Sequence, residues 1–229
     1  MPKIFYISKG EKTMAIERRN INCVQALRKV LSPFEKRLAD STDNEKYMTW
    51  AETDNLFPRL DGAWGPTQYY SNDYGTYEVH FGATKQCFVG DKVVVKRIAR
   101  DYKARFGNQI DAEVQAWRGL CRTKYSVFLC PVLKSLTIRG KVDPNSKKAV
   151  NYSIEIMQKA EFIGSWRDSI RYAEEKNGFR MDTIITDWSK DYEVLKDMLG
   201  LHDLHDENCG VIYDYSTGWY LPVIVDYAL

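Results

Sequence analysis

The chain has 229 residues, 44% of them hydrophobic and 13% aromatic, enough for one sizeable core or one domain with a modest extension. Its 33 Lys and Arg stand against 31 Asp and Glu, a formal charge of +2, so no global field selects nucleic acid or a membrane surface as a partner. The five cysteines (Cys23, Cys87, Cys121, Cys130, Cys209) show no C-x-x-C spacing, and no apolar run or leader-like segment is present, so a reduced, cytoplasmic protein without a zinc site is expected.

Residues 1–15 are mixed and read as irregular. From Asn20, Ile21, Val24, Leu27, Val30 and Leu31 fall at helical spacing, with Arg28, Lys29 and Lys36 on the other face. This predicts an amphipathic helix towards Leu38, disturbed at Pro33. Residues 40–75 combine Trp50, Phe57, Trp64, Tyr69 and Tyr70 with turn formers. They read as a mostly irregular wrap over the following sheet, since a disordered linker does not retain so many aromatics.

Strand signals begin at Thr76. Tyr77 to Phe81 alternates, Gly82-Ala83-Thr84-Lys85 turns, Gln86 to Val89 returns, and Gly90-Asp91 makes a tight hairpin into Lys92 to Ile98. Lys96 lies within that apolar, β-branched run, where lysine is rare unless paired or working. Asp101 to Arg122 carries Ile110, Glu113, Val114, Trp117 and Leu120 at helical spacing. Glu113 shares a stripe with Trp117 and so faces inward, where a carboxylate needs a cation. Lys96 is the candidate, and the plain alternative is a Glu113 at the edge of an amphipathic face.

Val127–Ile138 and Val150–Met157 read as two further strands, joined by a polar loop over 139–148. A helix is predicted from Ser165 to Glu175, stopped by Asn177-Gly178. A second runs from Asp187 to Leu199, with Trp188, Tyr192, Leu195 and Leu199 inward and Gly200 as its stop. Then come Leu201-His202-Asp203-Leu204-His205-Asp206-Glu207-Asn208, a short strand from Cys209 to Tyr213, a turn over 214–218, and a strand from Trp219 to Val225 ending in Asp226-Tyr227-Ala228. The hairpin returns Asp226 beside Asn208. An acid, an amide and a second acid converging suit a hard divalent cation and a nearby proton acceptor; the bland alternative is a polar hairpin whose acids cap turns.

D-L-H-x-x-N, a strand pair, then an apolar run ending in D-Y-A resembles the catalytic loop and metal-binding Asp of the protein-kinase-like phosphotransferases. Its wording is closer to aminoglycoside-kinase-like enzymes and kinase-like proteins of bacteriophages than to eukaryotic protein kinases. The resemblance covers roughly residues 76–228, about two-thirds of the chain. It implies an α+β, two-lobe fold: a small lobe over 76–162, with an antiparallel sheet plus one helix, and a truncated, mostly helical large lobe over 163–229. Residues 1–75 are expected to pack on that core and to cover the strand that carries Asp226.

The implied cofactors are ATP and Mg²⁺. Lys96 would align the α/β phosphates, Glu113 would position Lys96, Asp203 would accept the hydroxyl proton, and Asn208 and Asp226 would hold the metal. Gly82, Ala83, Thr84 and Lys85 would lie over the phosphates. Met157 would back the base pocket, and Gln158-Lys159-Ala160-Glu161-Phe162 would be the connector whose backbone meets adenine. His202 would brace the loop, and His205 would stand where a phosphate-contacting Lys is usual.

Two features depart from the family: G-x-G-x-x-G is reduced to Gly82, and the sequence ends at Leu229, where a substrate platform would follow. The implied activity is phosphoryl transfer to a hydroxyl of a protein or a small molecule. The alternative is a weak or inactive kinase-like module that captures a host protein, in the host cytoplasm if phage-encoded.

Overall fold

Strands enriched in Val, Phe and Tyr and separated by Gly-Asp and Asn-Asp turns favour antiparallel pairing, and period-two alternation gives each strand two chemically distinct faces. A computed structural model of the protein describes residues 25–32, 50–60, 67–82, 85–98, 109–140, 150–185, 187–201, 208–215 and 217–227. It is mixed α+β and divides into two compact units. Among the described residues, the first unit draws on 25–114 and 132–159, and the second on 115–131 and 160–227.

The first unit is built on a six-stranded sheet of β1 (Gln68–Asn72), β2 (Gly75–Phe81), β3 (Lys85–Val89), β4 (Val93–Ile98), β5 (Val132–Gly140) and β6 (Val150–Gln158). Their order is β1-β2-β3-β4-β6-β5, and every neighbouring pair is antiparallel. The register sorts the side chains by face. Val79, Phe88, Val95 and Ile156 lie opposite one another across four strands, and all are buried. One residue along each strand, on the other face, the row is His80, Cys87, Lys96, Glu155 and Ser135. One face is therefore mainly apolar, with Gln86 and Arg97 towards its end, and the other carries Lys85, Lys96 and Glu155.

Val30 and Leu31 from the helical stretch 25–32 (α1), and Phe57 just after α2 (Trp50–Leu56), join the apolar core. So do Ile110 and Val114 of α3 (Gln109–Leu120). Phe57 sits edge-on to Tyr77 and Phe88, each with ring centroids 5.2 Å away. The carbonyls at the end of α2, which have no partner within the helix, are met by side chains from the sheet. Tyr70 Oη and Asn72 Nδ2 donate to Leu56 O at 3.1 and 2.8 Å, Gln86 Nε2 donates to Pro58 O at 3.2 Å, and Arg97 donates to Phe57 O. Arg97 also pairs with Asp54 at 2.8 Å, and Asp54 with Arg59 at 3.0 Å. Burial pulls the Arg97 guanidinium down to about 10, against the opposing pull of Asp54.

In the second unit a 3₁₀ turn (Lys124–Phe128) precedes α4 (Trp166–Asn177), α5 (Met181–Ile184), α6 (Trp188–Leu199) and the hairpin β7 (Cys209–Asp214) and β8 (Trp219–Ile224). Ser165 caps α4 by accepting from Asp168 N, and Gly178 and Gly200 end α4 and α6 in the left-handed conformation. α4 packs on β7 and β8, and the Asn177 amide pairs with Tyr220 as a strand would, donating to its O and accepting from its N at 2.8 Å each. Trp188 packs on Phe128, and Tyr192 stacks on Trp166. Glu161 and Val211 exchange two backbone bonds of 2.8 Å beside Gly210. A Cβ on Gly210 would lie 2.8 Å from Glu161 O and 3.0 Å from the Ala160 Cβ, so only glycine admits that approach.

Several expectations are revised here. The stretch read as irregular over 40–75 contains α2 and β1, and 127–131 is a 3₁₀ turn with an isolated bridge rather than strand. The short α5 carried too little periodicity to register in the sequence. The apolar residues of 25–32 and Phe57 join the core of the six-stranded sheet, Leu129 and Cys130 bond to Ile224 of β8, and the remainder of 1–49, part of the expected cover over the strand of Asp226, lies outside the described residues. The four described cysteines carry no disulfide. No helix among the described residues is long and apolar enough to cross a membrane.

Two substitutions test this packing. Arg97→Met removes the bonds to Phe57 O and Asp54 and is expected to cost about 2 kcal/mol in urea unfolding. Gly210→Ala forces backbone against backbone and is expected to cost about 1–3 kcal/mol. Midpoints within experimental error of the wild type would contradict the two contacts.

Candidate functional site

An inward lysine on a strand is tolerated only where an anion meets it without water between. Lys96 on β4 is 6% exposed, and its Nζ donates to Glu113 Oε1 at 2.9 Å. α3 presents Glu113 one turn from Ile110 and beside Val114, so the carboxylate is fixed on the buried side of the helix at 0% exposure. Its second oxygen, Oε2, pairs with Lys85 Nζ at 3.2 Å, so two ammonium groups share one carboxylate. Lys85 is therefore the first residue of β3, on the same sheet face as Lys96, and not the tip of a loop.

Glu155 of β6 lies directly opposite Lys96 in the sheet register and is also fully buried. Burial pushes its carboxyl well above the usual carboxylate range, the Glu113 charge pushes it further, and Lys96 and Lys85 pull back. Its side-chain approach to Glu113 acts in the same upward direction, because only the protonated acid can donate a proton to Glu113. Glu155 is therefore the member of the cluster biased towards its neutral form.

Among the other expected site residues, Gly82 donates its N–H to Lys85 O at 2.8 Å, so that donor is spent inside the β2–β3 turn. Ala83 and Thr84 lie outside the described residues. Met157 is buried on β6 opposite Val94, on the face of Lys96. Lys159 is exposed, and its N–H donates to Lys92 O at 2.9 Å; the Glu161 N–H donates to Val211 O. Two connector donors expected to face adenine are thus committed to protein carbonyls.

In the second unit, Cys209 pairs with Ile224, and Val225 N donates to Asn208 O at 2.8 Å. The hairpin therefore sets Asn208 and Asp226 at adjoining chain ends, as expected. Asn208 is 5% exposed and Asp226 half-buried. Tyr227 just beyond is 1% exposed, with its hydroxyl donating to Cys130 O at 3.2 Å. Asp203, His202 and His205 lie outside the described residues.

An amide oxygen and a carboxylate are hard donors, the kind Mg²⁺ takes one or two of while keeping waters and substrate phosphates. Among the described residues no group of three or more His, Cys, Asp or Glu gathers as a metal cage. The pair at the hairpin ends fits Mg²⁺ on donor chemistry.

Sequence reading missed Glu155. Its signal was available: an acid between Ile154 and Ile156, at one phase of an apolar strand, is the pattern that singled out Lys96. The grouping of Lys85 with Lys96 was not legible, since it depends on the β3–β4 register. No family model, no curated protein and no solved structure matches the chain.

Glu155 fixes the sign of a pH effect. A carboxyl whose folded value is raised stabilises fully below its unfolded value, about 4.3, and that stability is lost as pH rises through the folded value. Glu155→Gln keeps the shape and removes the titration. Its melting temperature relative to the wild type is expected to climb from pH 5 to pH 8; a constant difference across that range would refute a raised Glu155.

Proposed function

We propose that the protein is an ATP- and Mg²⁺-dependent phosphotransferase with a kinase-like two-lobe fold, moving the γ-phosphoryl group to a hydroxyl, on a protein acceptor by preference. The observation that carries the reading is the buried Lys96–Glu113 pair at 2.9 Å. A strand lysine held by a helix glutamate, preceding an acid-amide loop and a hairpin-borne acid in chain order, is the set that phosphoryl transfer uses for positioning and charge neutralisation.

In this reading Lys96 binds the α/β phosphates and Glu113 keeps its ammonium aimed. Asn208 and Asp226 hold Mg²⁺, which supplies charge neutralisation on the phosphate oxygens. Asp203 takes the proton of the acceptor hydroxyl, a contribution worth roughly 10²–10⁴-fold in rate. Met157 contributes apolar surface for the base. Hydrolysis or transfer without a dry site would be slow, and the half-buried Asp226 beside a buried Asn208 suits partial exclusion of water.

A second reading, a kinase-like module that binds a partner and transfers little, is favoured by one observation. The Gly82 N–H is spent in its own turn, and with it one phosphate donor. Thermal shift and transfer separate the two. At 100-fold excess over its dissociation constant, ATP with Mg²⁺ is expected to raise the melting temperature by about 5–10 °C. Labelled transfer is expected from the wild type and not from Asp203→Ala, Asp226→Asn or Lys96→Met. A shift without transfer favours the binding module, and neither shift nor transfer removes the nucleotide reading altogether.

A further inference from the structure

The four buried ionisable groups on the sheet are more than the ion pair requires. One carboxylate and one ammonium would satisfy each other, yet Lys85 and Lys96 converge on the same Glu113 carboxylate at 3.2 and 2.9 Å. Glu155 stands beside them, fully buried, with its side chain against the Glu113 carboxylate. A second fully buried carboxyl beside the first is costly, so its retention points to a state of the site in which it has work. What little solvent reaches the cluster reaches the lysine side chains, at 7% and 8%, against 0% for Glu113.

We propose that Lys85 and Lys96 together form a bis-ammonium site for one phosphate-type anion, with Glu155 as the counter-charge that must be protonated before the anion is accepted. With Glu155 ionised the cluster holds two cations and two anions, and an entering phosphate meets a neutral set and two carboxylates. With Glu155 protonated the set carries one net positive charge, and a phosphate oxygen completes it. The proton comes from solvent and returns there when the anion leaves, so charge balances at each stage.

The groups that face Glu155 are Lys96 on β4, Lys85 on β3 and Glu113 on α3, with the Cys87 thiol next along the row and uncharged Ser135 opposite on β5. Both lysines favour the ionised form, and burial and Glu113 favour the neutral one. An anion drawn to the lysines takes up part of their pull and tips the balance to the neutral form. Lys85 becomes a second phosphate-positioning residue.

This rests on the phosphotransferase reading only in naming a nucleotide phosphate as the physiological anion. The test is calorimetric titration of the full chain from pH 6 to 9 with ADP, ATP and inorganic pyrophosphate, each in two buffers of different ionisation enthalpy. Wild type is expected to take up as much as about one proton per bound anion beyond the ligand's own titration, with affinity falling up to tenfold per pH unit as Glu155 ionises. Glu155→Gln is expected to lose that uptake and keep the affinity at high pH. Lys85→Met is expected to bind each anion about tenfold more weakly or worse.

Equal proton uptake in wild type and Glu155→Gln overturns the proposal, as does full affinity in Lys85→Met. The buffer comparison on wild type alone decides the matter if either variant fails to fold, because no uptake beyond the ligand's own then suffices to reject it. Pyrophosphate bound with proton uptake while ATP and ADP are refused sustains the anion site and ends the nucleotide reading. Nucleotide bound without uptake does the reverse, and no binding of any probe ends both.

Discussion

Taking a charge out of water is expensive enough that a chain must arrange its neighbours around each one it buries, and this sheet buries Lys85, Lys96 and Glu113 within one cluster, with Glu155 beside them. That constraint shapes the first unit. The lysines can stay inside only because β3 and β4 pair in a register that puts them on one face. Glu113 can stay only because α3 lays it over that face between Ile110 and Val114. A slip of one residue in either strand would turn the lysines into the apolar layer of Val95 and Phe88. The ion pair therefore selects the register as much as the register permits the ion pair.

The opposite face solves a different problem by the same physics. α2 has seven residues, too few to be stable alone, and its end carries carbonyls with no partner inside the helix. Tyr70, Asn72, Gln86 and Arg97 reach from three strands to supply those partners, while Phe57 is clasped edge-on by Tyr77 and Phe88. A buried arginine and a short helix are each unfavourable by themselves. Together they close each other's hydrogen bonds, which leaves the sheet covered on its apolar side and its ionisable row on the other.

Much of this was legible in the sequence where local chemistry and tertiary structure agree. The strands from Tyr77 to Ile98 announced themselves by alternation, and the helix ends at Gly178 and Gly200 by the left-handed caps that glycine admits. The terminal hairpin followed from two apolar runs around a Gly-containing turn. Lys96 and Glu113 were legible because each violated its surroundings. What stayed hidden depends on partners distant in the chain. α2 draws its stability from the sheet and not from periodicity, and β1 is an edge strand with exposed Tyr69, its alternation masked by the turn formers around it. Lys85 reads as a loop residue from its local sequence, and only the β3–β4 pairing places it in a strand. Glu155 shared the violation that marked Lys96, but its meaning appears only with the register that sets the two side by side.

The terminal hairpin and the lysine cluster are held by different means. Asn208 and Asp226 sit at the ends of a hairpin tied by backbone bonds, by the Val225–Asn208 contact, by Tyr227 anchored on Cys130 and by Asn177 clamped along β8. Their relative placement is set by the backbone and changes little with pH or salt. The lysine cluster is set by charge, and its balance shifts with the protonation of Glu155. An arrangement evolved only to stabilise the sheet would be served better by an apolar row, which carries no desolvation cost. The persistence of four ionisable groups where Val and Leu would pack is the physical reason to look for their function in binding.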